Sequence, residues 1–495
     1  MVNNVSSSIK KNLGFQTLFQ ILNTCLPLIT APYLSRVLGA SSLGVYSFTS
    51  SVVLYFTLFA MLGTVNYGTR TIATAKSNKD IRSKCFWSIF YFQIFVTCLC
   101  FVLYVLYMLF VCQDNYLIAW LQGISIICCF FDINWLFFGV ENFKITVTRS
   151  IFIKIISVTL ILILVKKPND LWIYTLIMAM STFISQLVLW LYLPQYISFC
   201  KVTFNDIYEH IKPNIVLFIP LLAMSVYHIM DKTMLGLLSS YAQTGFYYNS
   251  DKLINIPLCV INGVGTVMLP RMSALFASNN KDEAKKVFKI SLEGIGLISI
   301  AMAFGIAAIA NEFIPFFFGE GYEACILLTI VLSPVLIIKG FTNTIRTQYL
   351  VPLKMERYYI NSVLSGAITN LILNMLLIPK LGAIGAVLGT LFAELVACIV
   401  QFRIIRNELD LREFFINCFI YLCIGLVMFI LIRLISNVQI CLIGKIIIEI
   451  LSGGVMFITT ISLYIYKTKS KIYDELFVGF LIKIPYINKF INKSI

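Results

Sequence analysis

Residues 213–238, PNIVLFIPLLAMSVYHIMDKTMLGLL, decide the fold because they are long and apolar enough to cross a membrane and still carry two charges. About 20 apolar residues, at 1.5 Å each in a helix, span about 30 Å of hydrocarbon. An ionised side chain on such a helix costs roughly 2.5–3.5 kcal/mol unless it meets a partner or water. Asp231 and Lys232 therefore predict a wet interior between helices, or else an interfacial pair whose Lys stem reaches the headgroups.

The composition extends this interpretation to the whole chain. Hydrophobic residues make up 59% of the sequence and charged residues only 12%, whereas a soluble globular domain has about 25% charged residues. We predict an all-α polytopic membrane protein. The net charge is +15, and the charged residues lie mostly between the hydrophobic segments, where they indicate orientation in the membrane. We therefore predict no nucleic-acid partner.

Hydropathy predicts about fourteen transmembrane helices. They are placed at 12–34, 44–64, 85–112, 116–139, 145–165, 171–193, 213–238, 252–275, 288–310, 323–343, 358–378, 383–403, 414–434 and 441–465. Most of the 38 Lys and Arg then fall on the side of the N-terminus, which predicts that both termini are cytoplasmic.

The two halves of the chain share a pattern. RVLGASSLGVYSF begins at Arg36 and TMLGLLSSYAQTGFYY begins at Thr233. Gly44 and Gly245 are 201 residues apart, as are Tyr46 and Tyr247. An internal repeat of this kind predicts two related helical bundles with a site between them, as in many transporters.

Charged residues inside the apolar segments are the candidate functional residues. Asp132 and Lys154 lie at equal distances from the loop that joins two consecutive spans, so antiparallel helices place them at similar depth. The pair either staples the hairpin or lines a cavity. Lys339 has no obvious acidic neighbour on the following span, so we expect it to face water or an anion.

A second group of charges lies toward the outer side. Arg36, Lys232 and Lys252 cluster if the two halves face each other, with Asp231 and Asp251 beside them. Such a mouth favours an anionic substrate; alternatively, Arg36 and Lys252 are ordinary interfacial residues. The fourteen Cys lie mostly in apolar segments and His occurs only twice, so we expect no metal site and no cofactor.

Several motifs together give the chain a family resemblance. They are PYLSRVLGASSLGVYSF (32–48), LGTVNYGTR (62–70), DINWLFFGVENFK (132–144), LVKKPNDLWIY (164–174), DKTMLG (231–236) and VMLPRMS (267–273). In this order the chain resembles the polysaccharide-type flippases, or O-antigen transporters, of the multidrug/oligosaccharidyl-lipid/polysaccharide exporter superfamily.

The resemblance implies two pseudo-symmetric six-helix lobes followed by two C-terminal helices. The expected boundaries are 1–200 and 201–410 for the lobes, 411–466 for helices 13 and 14, and 467–495 for a cytoplasmic tail. The tail is an amphipathic segment on the inner leaflet or a frayed polar end. Cavity charges are typical of the family, and the candidates here are Arg36, Asp132, Lys154, Asp231, Lys232, Lys252 and Lys339.

The implied function is transport without catalysis in the bacterial cytoplasmic (inner) membrane. The expected substrate is an undecaprenyl-diphosphate-linked oligosaccharide repeat unit, moved outward by alternating access, and the expected partners are membrane lipids, a polysaccharide polymerase and chain-length machinery. A multidrug antiporter of the same superfamily is the first alternative, although such an antiporter has about twelve spans and acidic cation sites. A polymerase or a lipid-linked glycosyltransferase is the second, but neither a large outer loop nor clustered acids is present.

One prediction follows from the intramembrane lysines. Lys154→Ala and Lys339→Ala are each expected to abolish surface polysaccharide at normal protein levels, because each removes a cation that would replace water around a phosphate. Immunoblotting of the protein beside an assay of surface polysaccharide checks this. Unchanged export in both variants would remove the two lysines from the mechanism.

Overall fold

The chain is helical throughout the part that the structure describes. The structure is a computed structural model, and it describes residues 2–75, 78–278, 280–406, 408–438 and 440–468. No strand occurs within these ranges. A backbone in hydrocarbon must satisfy its own hydrogen bonds, and a helix does so within one segment.

Seventeen α-helices lie within these described ranges. They are α1 Val2–Met61, α2 Thr64–Thr74, α3 Lys79–Phe110, α4 Tyr116–Phe131, α5 Asn134–Gly139, α6 Phe143–Leu164, α7 Leu171–Trp190, α8 Leu193–Tyr196, α9 Phe204–Leu238, α10 Tyr241–Ala277, α11 Lys281–Phe318, α12 Ala324–Leu332, α13 Pro334–Ile345, α14 Glu356–Leu381, α15 Ala383–Ile405, α16 Arg412–Ile435 and α17 Leu442–Thr468.

Eleven helical segments of the described chain are long and apolar enough to cross a membrane, and Tyr116–Phe131 is a shorter apolar helix. The protein is therefore a multi-pass helical membrane protein, while the number fourteen stays a prediction. Large apolar side chains point outward, as Phe110 does with 78% of its surface exposed. Lipid is the environment that accommodates such a surface.

Two breaks in the helices show why some predicted spans do not match single helices. The spans at 12–34 and 44–64 are joined in α1, which is kinked at Gly39 with φ +75°. Glycine takes this left-handed value without a steric cost. Leu62 and Gly63 also have positive φ, 37° and 78°, and they separate α1 from α2.

The chain divides into two compact units. Unit 1 comprises Met1–Asn249, Phe318–Ala324 and Ala367–Thr390, and unit 2 comprises Ser250–Phe317, Cys325–Gly366 and Leu391–Ile495. The lobe boundaries at 200 and 410 stay predictions. The predicted tail at 467–495 lies outside the described residues, except for the last two residues of α17.

Each unit has its own buried core. In unit 1, α2, α3 and α5 meet at Ile72, Phe86 and Trp135, which are fully buried. In unit 2, Phe288 and Tyr349 pack with Phe414 of α16. Burial of a large apolar side chain contributes about 1.5–3 kcal/mol in water; in a membrane, dense packing supplies the corresponding attraction.

Polar contacts fix the start of α9 in unit 1. The Thr203 hydroxyl and backbone N–H both donate to Asp206, each at 2.9 Å, and form a capping box. Lys84 of α3 binds the same carboxylate at 2.7 Å. Lys84 and Thr203 together lower the pKa of Asp206 to about 2, so this anchor keeps its charge at any physiological pH.

Glycines allow α1 and α10 to cross at very short distance within unit 1. A methyl group on Gly44 would lie 1.6 Å from the carbonyl oxygen of Tyr241, and one on Gly245 would lie 1.9 Å from that of Ala40. Tyr241 follows Ala40 by 201 residues, which is also the spacing of the two glycines. The contact is therefore reciprocal and has the spacing of the repeat detected in the sequence.

Gly44→Ala is expected to lower the melting temperature of the purified protein, because the added methyl meets a backbone carbonyl that cannot rotate away. Overpacking of this kind costs roughly 1–3 kcal/mol or more, which exceeds the gain of about 1 kcal/mol in helix propensity. Gly263→Ala is the control, since a methyl there meets no described atom within 4 Å. Equal melting temperatures for the two variants would contradict the tight crossing.

Candidate functional site

A polar cavity lies inside unit 1. Its volume is about 900 Å³, which is ample for a ligand group of several sugar or phosphate units. Residues of α2, α5, α6 and α7 line it, together with Asp132 just before α5. The polar and charged lining residues are Asn66, Thr69, Arg70, Asp132, Asn134, Thr146, Arg149, Ser150, Lys154, Ser181, Thr182, Ser185 and Gln186.

A break in one predicted span places Asp132 and Asn134 in the lining of the cavity. The predicted span 116–139 is two helices, since α4 ends at Phe131 and Asp132 takes an extended conformation with φ −76° and ψ 102°. The Asp132 carboxylate accepts from the backbone N–H of Asn134 at 3.0 Å and from its amide at 2.8 Å. The carboxylate thus satisfies the first backbone N–H of α5, which no preceding turn can satisfy.

Gln93 of α3 donates hydrogen bonds to the backbone carbonyl groups at the end of α4, on the other side of this break. Its amide donates to the carbonyl groups of Cys129 at 2.6 Å and Asp132 at 2.9 Å. The indole N–H of Trp135 donates to its side-chain oxygen at 3.0 Å. Interrupted helices at membrane depth are tolerated where protein groups replace the missing backbone partners, so the break is a stable feature of unit 1.

Arg149 is the cation that sequence reasoning missed. Its guanidinium donates to Asn134 Oδ1 at 3.1 Å and to the carbonyl oxygen of Ser185 at 2.5 Å. Asn134 also donates to Gln186 Oε1 at 2.9 Å. Asn134 therefore bridges Asp132 to Arg149, and the guanidinium is held in place beside the cavity.

Arg149 falls within the predicted span 145–165 and within α6, Phe143–Leu164, but the sequence analysis did not list it among the candidate residues. A signal was present: Thr146, Ser150 and Ser157 follow one another at helical spacing on the same segment. Such a polar stripe predicts a helix face turned toward a polar interior. Arg149 lies beside this stripe.

Asp132 and Lys154 both line the polar cavity, and their similar depth in the membrane stays a prediction. The observed partner of the Asp132 carboxylate is Asn134. An ion pair between Asp132 and Lys154 stays a prediction. Their shared position favours the cavity interpretation over a staple that only fixes the hairpin.

Asp231 is enclosed by polar side chains of the protein, and its own side chain is only 4% exposed. The wet interior and the interfacial pair both stay predictions. The carboxylate accepts from four neutral side chains of α10, α14 and α15. They are Tyr247 at 2.5 Å, Asn374 at 2.6 Å, Thr390 at 2.7 Å and Asn370 at 3.0 Å.

This cluster can hold a negative charge without a cationic partner, because an ionised carboxylate has about four acceptor positions and each is used. Among the described residues, no group of three or more His, Cys, Asp or Glu is arranged to hold a metal ion.

The structure describes the surroundings of each predicted outer cation. Lys232 lies over the ring of Tyr248, with its nitrogen 5.6 Å from the ring centre, a cation–π geometry. Arg36 is exposed on α1, and Lys252 is half-buried on α10 in unit 2. A cationic mouth formed by all three stays a prediction.

Lys339 is an ion pair in the structure, so the expectation of a lysine facing water or an anion alone is wrong. Its ammonium lies 3.2 Å from Glu394 within unit 2. Glu394 is on α15, two helices beyond α13, and the sequence analysis looked for an acid only on the next span. Desolvation explains the pairing, since a partly buried cation in an apolar bundle requires an opposite charge.

Comparison with known proteins identifies a family and several relatives. The profile of a family described as "Polysaccharide biosynthesis protein" matches residues 9–276. The "Putative O-antigen transporter" of Escherichia coli (strain K12) is 22% identical over 405 residues, 81% of this chain and 97% of the relative. "Lipid II flippase MurJ" of Bacillus subtilis (strain 168) is 24% identical over 182 residues, 36% of this chain and 32% of the relative.

Solved structures show the same fold. The lipid II flippase MurJ in an inward closed conformation superposes with a TM-score of 0.76, at 14% identity, over 92% of this chain and 100% of that chain. An inward-facing MATE multidrug resistance transporter superposes with a TM-score of 0.57, at 13% identity, over 79% of this chain and 94% of that chain. The fold is therefore that of the MurJ and MATE transporters.

The Lys339–Glu394 pair gives a prediction that separates stability from transport. Lys339→Ala leaves Glu394 buried without its cation, and breaking such a pair costs roughly 3–5 kcal/mol, so we expect this variant to accumulate at a lower level than the normal one predicted from the sequence. The double variant Lys339→Met with Glu394→Leu is expected to melt at or above the temperature of the wild type. If the double variant is folded and export is lost, Lys339 acts in transport; normal export by that variant would make the pair purely structural.

Proposed function

This chain belongs to the polysaccharide biosynthesis protein family, and on that premise we propose that it is a flippase for a lipid-linked oligosaccharide. The substrate is an undecaprenyl-diphosphate-linked repeat unit, which the protein turns from the inner to the outer leaflet of the bacterial cytoplasmic membrane. The product serves the synthesis of a surface polysaccharide, such as O-antigen, capsule or exopolysaccharide. Its E. coli relative carries the name of an O-antigen transporter, which supports this substrate class.

One observation carries the proposal: a cavity with cations and hydrogen-bonding groups lies among helices whose outer surfaces are apolar. Arg70, Arg149 and Lys154 line it together with amide and hydroxyl side chains. Amides and hydroxyls are the groups that bind sugar hydroxyls, and guanidinium groups bind phosphate in a bidentate manner. The polyprenyl chain can remain in the lipid between helices while the polar head occupies the cavity.

Asp132 has a clear part in this mechanism. Through Asn134 it orients Arg149, so the guanidinium loses little rotational freedom when a phosphate binds. Its negative charge also offsets part of the positive field of the cavity. Passage through a membrane requires binding that is strong enough for loading and weak enough for release, and a carboxylate near the cations moderates the affinity.

The membrane potential assists outward movement. A diphosphate carries about two negative charges, and each charge gains roughly 2.3 kcal/mol per 100 mV when it leaves an inside-negative compartment. Cations that move with the substrate, or stay beside it, reduce this gain. No covalent bond changes, so the step is transport and not catalysis.

Alternating access requires parts of the protein to change their relative positions. Gly39 and the Leu62–Gly63 pair interrupt α1 and α2 with left-handed backbone conformations, and such element ends are suitable hinges. In this proposal both termini are cytoplasmic, and a polymerase with chain-length machinery receives the flipped unit on the outer face.

Deletion of the gene is expected to leave lipid-linked repeat units in the cytoplasmic leaflet and to abolish surface polysaccharide. Labelling of lipid-linked sugars from the outside of spheroplasts measures the distribution. Arg149→Ala should reproduce the deletion at normal protein levels, because the cavity loses its oriented cation, whereas Lys144→Ala on the exposed face of the same helix should not. Normal outward labelling in the deletion strain, or a changed drug-resistance profile instead, would contradict the flippase assignment.

A further inference from the structure

A second groove lies on the surface of unit 1, between α2 and α9. Its volume is about 490 Å³. The residues that line it recur three or four positions apart on each helix, so each helix contributes a single face. They are Tyr67, Arg70, Thr71 and Thr74 of α2, and Lys212, Pro213, Val216 and Leu217 of α9.

The groove combines cations with an apolar wall. Arg70 and Lys212 are both exposed, and none of the residues that line the groove is acidic. The adjoining face of α9 is apolar and exposed, and Val216 has 58% of its surface accessible. A positively charged end beside an apolar surface suits an anionic lipid whose chain lies along the helix.

Hydrogen bonds fix the two walls relative to each other. The amide of Asn214 donates to the hydroxyl of Thr64 at 3.3 Å. The hydroxyl of Tyr67 and Nδ1 of His210 are 2.7 Å apart. Both contacts join α2 to α9, so hydrogen bonds hold the two helices together along the groove.

Arg70 connects this groove to the polar cavity, because it lines both. It lies on α2, the short helix between the two spaces. A phosphate bound to Arg70 and Lys212 would have to move only around one guanidinium to reach the side of the cavity where Asn134 and Arg149 lie. Both groove cations also belong to segments that the charge distribution predicts to face the cytoplasm.

We propose that the α2–α9 groove docks the diphosphate of a polyprenyl-linked substrate in the inner leaflet, and that Arg70 passes this diphosphate into the polar cavity. The inference rests on the proposed flippase function and adds the loading site to it. Charge complementarity selects the occupant: two cations match about two phosphate charges, whereas a phosphodiester lipid such as phosphatidylglycerol supplies only one.

Photocrosslinking of the full-length protein in proteoliposomes tests the docking site. Benzoylphenylalanine replaces Val216 in the groove, Val102 on the exposed face of α3 as the matched control, or Ile153 in the polar cavity. Radiolabelled undecaprenyl diphosphate is the probe. We expect crosslinking at positions 216 and 153 well above that at 102, and displacement from 216 by unlabelled undecaprenyl diphosphate but not by an equal amount of phosphatidylglycerol.

Charge removal tests the role of the two cations. With the crosslinker at 216, Arg70→Ala and Lys212→Ala should each weaken the apparent affinity roughly fivefold, or about 1 kcal/mol per cation near the membrane surface. Lys212→Arg should retain binding. Lys201→Ala, which removes an exposed cation outside the groove lining, is the matched control and should leave binding unchanged.

The outcomes separate the two proposals. Three results would each overturn the groove as a diphosphate dock. They are crosslinking at 216 no higher than at 102, crosslinking at 216 that neither alanine variant weakens, and equal displacement by phosphatidylglycerol. Crosslinking at 153 without crosslinking at 216 would overturn the dock and leave the flippase assignment standing. No crosslinking at either position, together with normal outward labelling in a deletion strain, would overturn the flippase assignment itself.

Discussion

The structure depends on one constraint: a polar group inside the bilayer must find its partner within the protein, because lipid offers none. The break before α5 shows the constraint at work. Asp132 and Gln93 supply hydrogen bonds that the interrupted helix lacks, and Asp132 also orients Asn134 and, through it, Arg149. A requirement of backbone satisfaction has thereby produced a pre-arranged cation in the polar cavity.

The same constraint sorts the intramembrane charges into two kinds. Asp231 is saturated by neutral donors and is buried, and the half-buried Lys339 is neutralised by Glu394, so both charges have partners within the protein. Arg149 and Lys154 instead line a space large enough for a ligand. Charge inside a membrane helix is therefore not sufficient evidence for substrate contact; the partner of the charge has to be known as well.

Sequence reasoning predicted the helical membrane fold because hydropathy is a local property, and it predicted a similar depth for Asp132 and Lys154 because one short loop joins their helices. It missed Glu394 as the partner of Lys339, and Asn370 and Asn374 as partners of Asp231, because these residues are distant in sequence and the choice of helix neighbours is set by packing. It did not list Arg149 as a candidate, because a cation near the cytoplasmic end of a predicted span is ordinarily attributed to the membrane interface.

The crossing of α1 and α10 has a genetic consequence. Gly44 and Gly245 each accommodate a different carbonyl group, that of Tyr241 and that of Ala40, so the duplicated contact provides no redundancy. A change at one glycine cannot be buffered by the other, so the crossing presents two separate positions at which a single added methyl group is harmful.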